Sequence, residues 1–335
     1  MRIGIDIMGG DYAPQKTVHG AILAQKDLPK GTEIVLFGGK EDILSELKSF
    51  NISSNTFEIV DCPEVIEMGE HAIKGIKQKT KSSISVGFHY LATGKIDGFA
   101  SAGNTGAMFV GGFYSVKAIT GIIRPCISSV LPKENGGVGI LLDVGANPDC
   151  KADVLYQFGI LGSLFAQHVC GIESPKIGLL NLGEEKTKGN MLTKAAYELM
   201  ENSEDYNFIG NIEGRDLFEE DSDVIVCDGF TGNIALKTIE GVALLARHYL
   251  NQELSRSFLG KFGAFLARSS LKKFYKKIDP VLYNGASLLG LNGVVVKSHG
   301  SSGIDGFSCA LAVAILEAKE DLPQKIKDKL SKFIF

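Results

Sequence analysis

The stretch Phe99-Ala-Ser-Ala-Gly-Asn-Thr-Gly-Ala-Met108 decides the fold class of this chain. Its first residues are apolar and predict a short buried strand, and the apolar pattern that resumes after Ala107 predicts a helix. Between them lies a loop of small polar residues with two glycines, Ser101 to Gly106. Such a loop between a strand and a helix binds anions in many α/β proteins, because the first helical N–H groups are unpaired. A βα turn that uses glycine only for its geometry explains the loop equally well.

The same order of apolar strand, polar Gly/Asn/Asp loop and helix recurs along the chain. It predicts a mostly parallel sheet with crossover helices. Loops that follow parallel strands lie along one edge of a sheet, where open α/β sheets bind ligands. At least five such loops are more than turn geometry requires, so the sequence favours a ligand site at that edge. The other predicted strands are residues 3–8, 34–37, 57–60, 126–131, 139–143, 176–182, 208–212, 223–227 and 294–296.

Composition describes a large globular chain without a strong charge signal. The 335 residues are 44% hydrophobic, enough for one large core or two moderate ones. The net charge of −4 gives no global signal for nucleic acid or an anionic membrane. The six cysteines are scattered, which favours free buried thiols. Asp6 interrupts the apolar N-terminus, and no apolar run reaches the roughly 18 residues of a membrane span. We therefore expect a cytoplasmic protein with at most a surface attachment to membrane.

Sequence motifs for the common cofactors are absent. No G-x-G-x-x-G follows the first strand and no Walker Lys-Ser/Thr pair is present, so dinucleotide and NTP binding are not supported. There is no H-E-x-x-H, no G-x-S-x-G and no clustered His/Cys set, so nothing identifies a metal or a protein nucleophile. We expect neither a metal nor a cofactor.

Two further loops carry charged groups. Lys297-Ser-His-Gly-Ser-Ser302 follows a predicted strand and combines a cation, an imidazole and hydroxyls, which suits a phosphate or an oxyanion. A lone histidine such as His299 is usually structural, but these neighbours favour a functional role. Gly183-Glu-Glu-Lys-Thr-Lys-Gly-Asn190 holds two carboxylates and two lysines between glycines. An active-site loop and an exposed turn both explain it, and charge alone favours the turn.

Seven motifs follow one another from residue 3 to about residue 303. They are Asp6-Ile-Met-Gly-Gly-Asp11 with Ala13-Pro14, Ser101-Ala-Gly-Asn-Thr-Gly106, Leu142-Asp-Val-Gly-Ala-Asn147, Gly178-Leu-Leu-Asn-Leu-Gly-Glu-Glu185 with Lys188-Gly-Asn190, Gly210-Asn-Ile-Glu-Gly-Arg-Asp216, Val226-Cys-Asp-Gly-Phe-Thr-Gly-Asn233, and Leu289-Gly-Leu-Asn-Gly293 with His299-Gly-Ser-Ser302. In these motifs, their order and their spacing, the chain resembles the PlsX family, the acyl-acyl-carrier-protein:phosphate acyltransferases of bacterial phospholipid synthesis. Small departures are Pro148, where a small apolar residue is expected, and Gly303-Ile304 in place of a more polar pair.

The resemblance implies a three-layer α/β/α sandwich with a mostly parallel sheet, similar to isocitrate and isopropylmalate dehydrogenases and to phosphotransacetylases. It implies one domain over residues 1–335 and a homodimer. It also implies a reaction in which inorganic phosphate attacks the thioester of an acyl carrier protein to give an acyl phosphate. That product then feeds a membrane glycerol-3-phosphate acyltransferase in phospholipid synthesis.

The chemistry of this reaction suggests roles for individual residues. Phosphate dianion is already a nucleophile, so neither a covalent serine nor a strong base is required. The site must hold phosphate beside the thioester and stabilise an oxyanion, which amide-rich loops with Lys and Arg can do. The expected catalytic residues are Asn104, Lys188, Asn233, Lys297 and His299. The expected substrate and phosphate contacts are Asp11, Ser101, Gly103, Thr105, Gly106, Asp143, Asn147, Glu184, Arg215, Asp228, Gly300, Ser301 and Ser302.

Residues 254–277 carry seven Lys/Arg and no Asp or Glu. Apolar residues recur at helical spacing from Leu254 to Phe265, which predicts a basic helix with an aromatic face in a helical protrusion, residues 240–283. A membrane-surface helix and a helix pair packed on a dimer partner or on the core both explain the pattern. The single sign of charge favours an anionic membrane, and the same surface suits an acidic acyl carrier protein. The expected carrier and membrane contacts are Arg256, Phe258, Lys261, Phe262, Arg268, Lys272 and Lys273, with Lys74 and Lys77 as second carrier candidates.

Two other classes of protein stay open. A metal- and NAD-dependent decarboxylating dehydrogenase on the same scaffold would need paired aspartates for a divalent metal and a nicotinamide site. A lipid or carrier-protein binding module would bind the acyl carrier without cleaving its thioester.

Overall fold

Strands and helices alternate over most of the chain, as the sequence predicts. The computed structural model describes residues 1–278 and 285–331. Within these residues the eleven strands are β1 (Arg2–Asp6), β2 (Glu33–Gly38), β3 (Glu58–Asp61), β4 (Gly98–Ser101), β5 (Cys126–Pro132), β6 (Val138–Leu142), β7 (Lys176–Leu180), β8 (Asn207–Ile212), β9 (Val224–Val226), β10 (Ala286–Leu289) and β11 (Val294–Lys297). The twelve α-helices of the same residues are α1 (Gln15–Gln25), α2 (Lys40–Ser49), α3 (Ala72–Gln78), α4 (Ser83–Ala92), α5 (Thr105–Gly111), α6 (Ala152–His168), α7 (Met191–Glu201), α8 (Gly229–Arg256), α9 (Phe258–Leu266), α10 (Arg268–Ile278), α11 (Ile304–Lys319) and α12 (Leu322–Leu330).

The strands form one sheet in the order β3-β2-β1-β4-β11-β10-β5-β6-β9-β7-β8. The first five of these strands run parallel to one another and are termed the first block. The last four, from β6 to β8, also run parallel to one another and are termed the second block. Between the blocks, β10 and β5 are antiparallel to both of their neighbours. The fold is therefore a mixed α/β fold with a large, mostly parallel sheet, as predicted.

The two blocks point in opposite directions. Three successive antiparallel pairs, β11 with β10, β10 with β5 and β5 with β6, leave β6 antiparallel to β11. Loops after β1, β4 and β11 therefore leave one edge of the sheet, and loops after β6, β7 and β9 leave the opposite edge. The prediction that all the polar loops gather along one edge is wrong, because the strands that precede these loops belong to two blocks that run in opposite directions.

Helices pack on both faces of the sheet because the strands are apolar on both faces. On one face, α1, α2 and α11 cover the first block, where Ile5 and Val296 are fully buried. On the same face of the second block, α6, α7 and α12 bury residues such as Leu179. The other face is covered by α4, α5 and the beginning of α8, which pack around Phe99 and Val295. Burial on this scale stabilises the fold by about 25 cal/mol for each Å² of apolar surface.

The long helix α8 links the second block to the first. It begins after β9 and spans 28 residues, a length of about 42 Å. Ala235, Leu236 and Ile239 pack on the core beneath it. It ends at Arg256, and Ser257 caps α9 by accepting a hydrogen bond from the Gly260 N–H.

The predicted aromatic stripe is therefore divided between two helices, with Leu254 on α8 and the phenylalanines on α9. The α9 side chains of Phe258, Phe262 and Phe265 are 83%, 53% and 70% exposed. In α10, Tyr275 donates a hydrogen bond to Asn251 of α8 at 2.6 Å, so this aromatic side chain makes an internal contact. Residues 279–283 of the predicted protrusion lie outside the described residues. Among the helices that the structure describes, none has the length and apolarity needed to cross a bilayer.

Candidate active site

Three loops of the first block, those after β1, β4 and β11, pack backbone against backbone. A Cβ atom on Gly9 would lie 2.5 Å from the backbone nitrogen of Gly103, and one on Gly10, where φ is +100°, would lie 3.0 Å from the Gly300 carbonyl oxygen. The Asp11 N–H donates to that carbonyl at 2.8 Å. Glycine is required here because any side chain would force the loops apart. The two donor-rich loops that the sequence singled out, residues 101–106 and 297–302, are therefore neighbours.

A buried carboxylate lies beneath these loops. Asp6, at the end of β1, is 1% exposed, and its Oδ2 accepts a hydrogen bond from the Ser101 hydroxyl at 2.6 Å. Its Oδ1 accepts from the Met8 N–H at 3.0 Å, while Ser101 Oγ accepts from the Gly103 N–H at 2.8 Å. Burial raises the pKa of Asp6, and these hydrogen bonds oppose the rise. The predicted site omitted Asp6, although an aspartate inside an otherwise apolar strand is a signal that could have included it.

Lys297 is a buried ammonium at the end of β11. It is 6% exposed, and it donates to the Ser298 carbonyl. Burial lowers its pKa to about 8, the carboxylates of Asp6 and Asp11 oppose this change, and Lys237 adds to it. A cation in this position, with little water around it, attracts a phosphate or an oxyanion far more strongly than a surface lysine does.

His299 contacts a helix that comes from the other block. Its Nδ1 lies 2.8 Å from the Ser301 hydroxyl, and its Nε2 lies 3.4 Å from the Lys237 ammonium of α8. Lys237 also donates to Glu240 at 2.8 Å. Partial burial lowers the pKa of His299, and Lys237 lowers it further. The predicted set omitted Lys237, although it stands one helical turn after Asn233, a position that shares its helix face.

The amide of Asn104, a predicted catalytic residue, makes hydrogen bonds within the protein. Its Oδ1 caps α5 by accepting from the Ala107 N–H at 2.9 Å. Its Nδ2 faces the carbonyl oxygens of Glu67, Met68 and Glu70 at 3.0, 3.0 and 2.8 Å. Both amide hydrogens are therefore used within the protein, and Asn104 holds residues 67–70 beside the site.

The remaining residues of these two loops divide into exposed and buried ones. Thr105 and Gly106, at the start of α5, and Ser301 are exposed. Ser302 is 7% exposed and its hydroxyl lies 3.0 Å from that of Ser298. Among the predicted contacts in this part of the chain, Thr105, Gly106 and Ser301 are therefore open to a ligand.

Asp143 and Asn147, two of the predicted substrate contacts, lie in the second block, and both side chains are buried. Asp143 is 0% exposed, and its Oδ1 accepts from the N–H groups of Ile127, Gly145 and Ala146. Its Oδ2 accepts from the backbone and side-chain nitrogens of Asn147 at 2.7 and 2.9 Å. Burial raises the pKa of Asp143, and the hydrogen bonds from Ile127, Ala146 and Asn147 oppose the rise. The carboxylate is satisfied by its own loop.

Asp228 and Asn233 lie at the beginning of α8. Asp228, a predicted phosphate contact, is half-buried, and its Oδ1 caps the helix by accepting from the N–H groups of Phe230 and Thr231. Asn233 is exposed in the next turn, and its side chain approaches the Gly145 turn of the loop after β6.

The charged loop after β7 forms a separate cluster. Arg215 pairs with Glu184 at 3.5 Å, with Glu213 at 3.2 Å and with Asp216 at 3.4 Å. The Lys188 side chain is exposed in the same loop. This loop leaves the edge of the sheet opposite to Lys297, so the strands do not bring the two predicted groups together. In the described part of the chain, no group of three or more His, Cys, Asp or Glu is arranged to hold a metal ion.

Comparison with known proteins gives consistent matches over nearly the whole chain. The family model described as "Fatty acid synthesis protein" matches residues 1–325. A phosphate acyltransferase of Dictyoglomus thermophilum is 42% identical over 332 residues, covering 99% of this chain and 98% of that protein. One of Pelotomaculum thermopropionicum is 43% identical over 330 residues, covering 98% and 95%.

Two solved structures share the fold. A phosphotransacetylase from Streptococcus pyogenes matches with a TM-score of 0.66 and 16% identity, covering 96% of this chain and 94% of that one. A branched-chain phosphotransacylase from Enterococcus faecalis V583 matches with a TM-score of 0.61 and 14% identity, covering 95% and 99%. At these identities the likeness concerns the fold alone.

Proposed function

The chain belongs to the fatty acid synthesis protein (PlsX) family and is a phosphate acyltransferase, and we propose that its acyl donor is the thioester of an acyl carrier protein. The product is an acyl phosphate, which we assign to phospholipid synthesis through a membrane glycerol-3-phosphate acyltransferase. The dehydrogenase alternative is not favoured, because relatives at about 40% identity over nearly the full length carry the name phosphate acyltransferase.

The convergence of cations on the loops of the first block carries the proposal. Lys297 from β11 and Lys237 from α8 both lie beside the loop that bears His299. Phosphate binds between them and the loop N–H groups, with one of its oxygens facing the thioester carbonyl. A C–O bond forms at the carbonyl carbon, the C–S bond breaks, and the carrier thiolate leaves and takes a proton from solvent. Holding both reactants contributes about 7–11 kcal/mol, and an oxyanion donor contributes about 3–4 kcal/mol.

Roles for the other predicted residues follow from their places. Asn233 is a candidate donor to the acyl carbonyl, because the i, i+4 spacing puts it on the same face of α8 as Lys237. Asn104 acts through residues 67–70, which it holds. Thr105, Gly106, Gly300 and Ser301 are candidates for direct loop contacts to phosphate, together with Asp11 at the mouth of the site. Ser101, Gly103 and Ser302 are buried and are candidates for holding these loops in place. Lys188, Glu184 and Arg215 lie at the opposite edge of the sheet and stay candidates for contacts to the acyl donor.

The helices α8 to α10 are proposed as the protrusion that meets the partners, on a scaffold of the isocitrate/isopropylmalate dehydrogenase type. The apolar side chains of Val242, Leu245 and Tyr249 on α8 are 60%, 51% and 58% exposed and suit a homodimer contact. The exposed aromatic face of α9 suits reversible attachment of a cytoplasmic protein to an anionic membrane. The acidic carrier is proposed to dock on the basic residues Arg256, Lys261, Arg268, Lys272 and Lys273, which are all exposed.

The proposed function is tested by mixing the protein with an acyl carrier thioester, with and without inorganic phosphate, and trapping product with hydroxylamine. We expect a phosphate-dependent product, and we expect His299→Ala to lower kcat/KM for phosphate while the protein stays folded. Carrier binding without thioester cleavage would instead favour the binding-module alternative.

A further inference from the structure

Three polar side chains occupy one row across three adjacent parallel strands. Ser101 of β4 is the register partner of Lys297 in β11. On the other side, Ala100 pairs with Ile5 of β1, which puts Asp6 beside Ser101. Register neighbours in a parallel sheet project to the same face. The order in the row is therefore carboxylate, hydroxyl, ammonium.

The row is buried, and its hydrogen bonds show which group donates and which accepts. Asp6, Ser101 and Lys297 are 1%, 0% and 6% exposed. Because Ser101 Oγ accepts from a backbone N–H, its own proton is available to Asp6, which lies 2.6 Å away. Asp6 also accepts from a backbone N–H through its other oxygen, so both of its oxygens act as acceptors. An ionised carboxylate accepts through both oxygens in this way, and its hydrogen bonds and Lys297 oppose the rise in pKa that burial causes.

We propose that Asp6 is a positioning residue for phosphate acyl transfer: its buried negative charge keeps Lys297 protonated, so that the site presents a full positive charge to phosphate. The proposal rests on the proposed function for the role of Lys297. Asp6 does not touch substrate in this proposal, because its carboxylate is buried and accepts hydrogen bonds from the Ser101 hydroxyl and from the Met8 N–H in the loop after β1.

Other charged groups also act on this row. Asp11, in the loop after β1, favours the charged form of Lys297, whereas Lys237 of α8 opposes it. The positive charge of Lys297 lowers the pKa of His299, which lies two residues later in the chain. The Cys62 thiol near Asp6 has a pKa of about 12, raised by burial and by Asp6, and so stays neutral. Asp6 is the carboxylate among these groups that is fully shielded from water, so its effect on Lys297 is the least screened.

The test measures the ionisation of Lys297 directly in the full-length protein. Lysine labelled with ¹³C at Cε gives a signal for each side chain, and Lys297→Arg identifies the signal of Lys297 by its loss. Burial lowers the pKa of Lys297 to about 8, so the wild-type titration midpoint is expected there. Asp6→Asn, which keeps the shape, should lower that midpoint by about one pH unit. Asp11→Asn is the matched control, and it should cause a smaller shift because Asp11 is exposed.

The pH profile of kcat/KM for acyl phosphate formation provides the second measurement. The alkaline limb of this profile should move with the NMR midpoint in Asp6→Asn. An unchanged NMR midpoint overturns the inference whatever the activity. A shifted midpoint with an unmoved alkaline limb also overturns it, because Lys297 then has no role in the reaction. Failure of the proposed function is seen separately, as a wild-type protein that forms no acyl phosphate. If Asp6→Asn does not fold, Ser101→Ala should shift the midpoint in the same direction, and an unchanged midpoint there contradicts the proposal.

Discussion

At the scale of single residues, two substitutions of Asn104 distinguish its role as the cap of α5 from its role as the anchor of residues 67–70. Asn104→Ala removes both the cap of α5 and the anchor of residues 67–70, whereas Asn104→Ser keeps a capping oxygen and loses only the amide hydrogens. We expect urea unfolding to show a loss of about 1 kcal/mol for Ala that Ser largely recovers. We expect both variants to show a lowered kcat/KM, because both release residues 67–70. A kcat/KM equal to that of the wild type, in either the Ala or the Ser variant, would contradict this prediction.

Glu317 of α11 provides a pH-dependent test of the core. It is 2% exposed and bonded to the Ser287 hydroxyl, and burial raises its pKa from 4.5 to about 8. The folded state therefore binds more protons than the unfolded state between these two values, and stability falls as the pH rises through them. Between about pH 5 and about pH 9 the expected loss is about 4 kcal/mol.

The matched variant is Glu317→Gln, which cannot ionise. Its unfolding free energy, measured with urea across the same pH range, should lack this part of the decline. Equal pH dependence in the two proteins would show that Glu317 is not held neutral in the fold.

The sequence identified polar strand ends, but it could not separate ligand contacts from internal ones. Asp6 and Asp143 both end apolar strands, and both proved to be buried. Their difference depends on which donors the folded loops bring to them: Asp143 receives five from its neighbourhood, whereas Asp6 shares a row with Lys297. The donors to Asp143 are mostly local, because Gly145, Ala146 and Asn147 follow it directly. The row of Asp6 and Lys297 joins strands far apart in the chain, so the spacing of the motifs contains little information about it.

At the scale of elements, most strands could be predicted, since buried parallel strands are continuous apolar runs. The exception is β10, Ala-Ser-Leu-Leu, which is short and has no distinctive pattern. The sequence contains a local signal for the opposite directions of the two blocks. Asn135-Gly136-Gly137 lies between β5 and β6, and Asn-Gly between apolar runs predicts a hairpin. A second short connection, residues 290–293, joins β10 to β11 and allows these two strands to pair antiparallel.

The exposed face of α9 leads to a prediction about membranes. Phe258→Glu with Phe262→Glu should abolish sedimentation with anionic vesicles, because both side chains are exposed and charge would oppose their insertion. The matched control is Leu182→Glu with Met191→Glu, which changes the charge equally at side chains that are 70% and 91% exposed. The control should still bind vesicles. If the α9 variant keeps vesicle binding, or if it dissociates a dimer instead, the phenylalanines form a protein contact.

At the scale of the whole molecule, the strands are parallel within each block, the two blocks run in opposite directions, and α8 connects them. The helix begins beside the loop after β6 and brings Lys237 to His299 in the first block. A candidate site is thus assembled from both blocks, although their strand ends lie on opposite edges. Strand and loop patterns predicted the parts of this arrangement. They could not predict its geometry, because that depends on the direction of each strand and on the path of one helix.

Docking of an acidic carrier should depend on the basic side chains of α9 and α10. Raising the salt concentration from about 50 mM to about 300 mM should weaken the apparent affinity for the acyl carrier, because exposed charges are screened. Lys272→Glu with Lys273→Glu should weaken it at low salt. The same charge change at Lys26 and Lys30, exposed after α1, should have little effect. An affinity that is insensitive to salt would exclude electrostatic docking.

Acyl transfer to phosphate at Lys297 is tested most directly by phosphate-dependent cleavage of an acyl carrier thioester, measured for the wild-type protein and for Lys297→Met in parallel. Release of the carrier thiol and formation of acyl phosphate are measured together. The account predicts equal amounts of both products in the wild type, no release without phosphate, and a rate lower by about 100-fold or more in Lys297→Met. Thiol release that is independent of phosphate, or a Lys297→Met variant as active as the wild type, would contradict it.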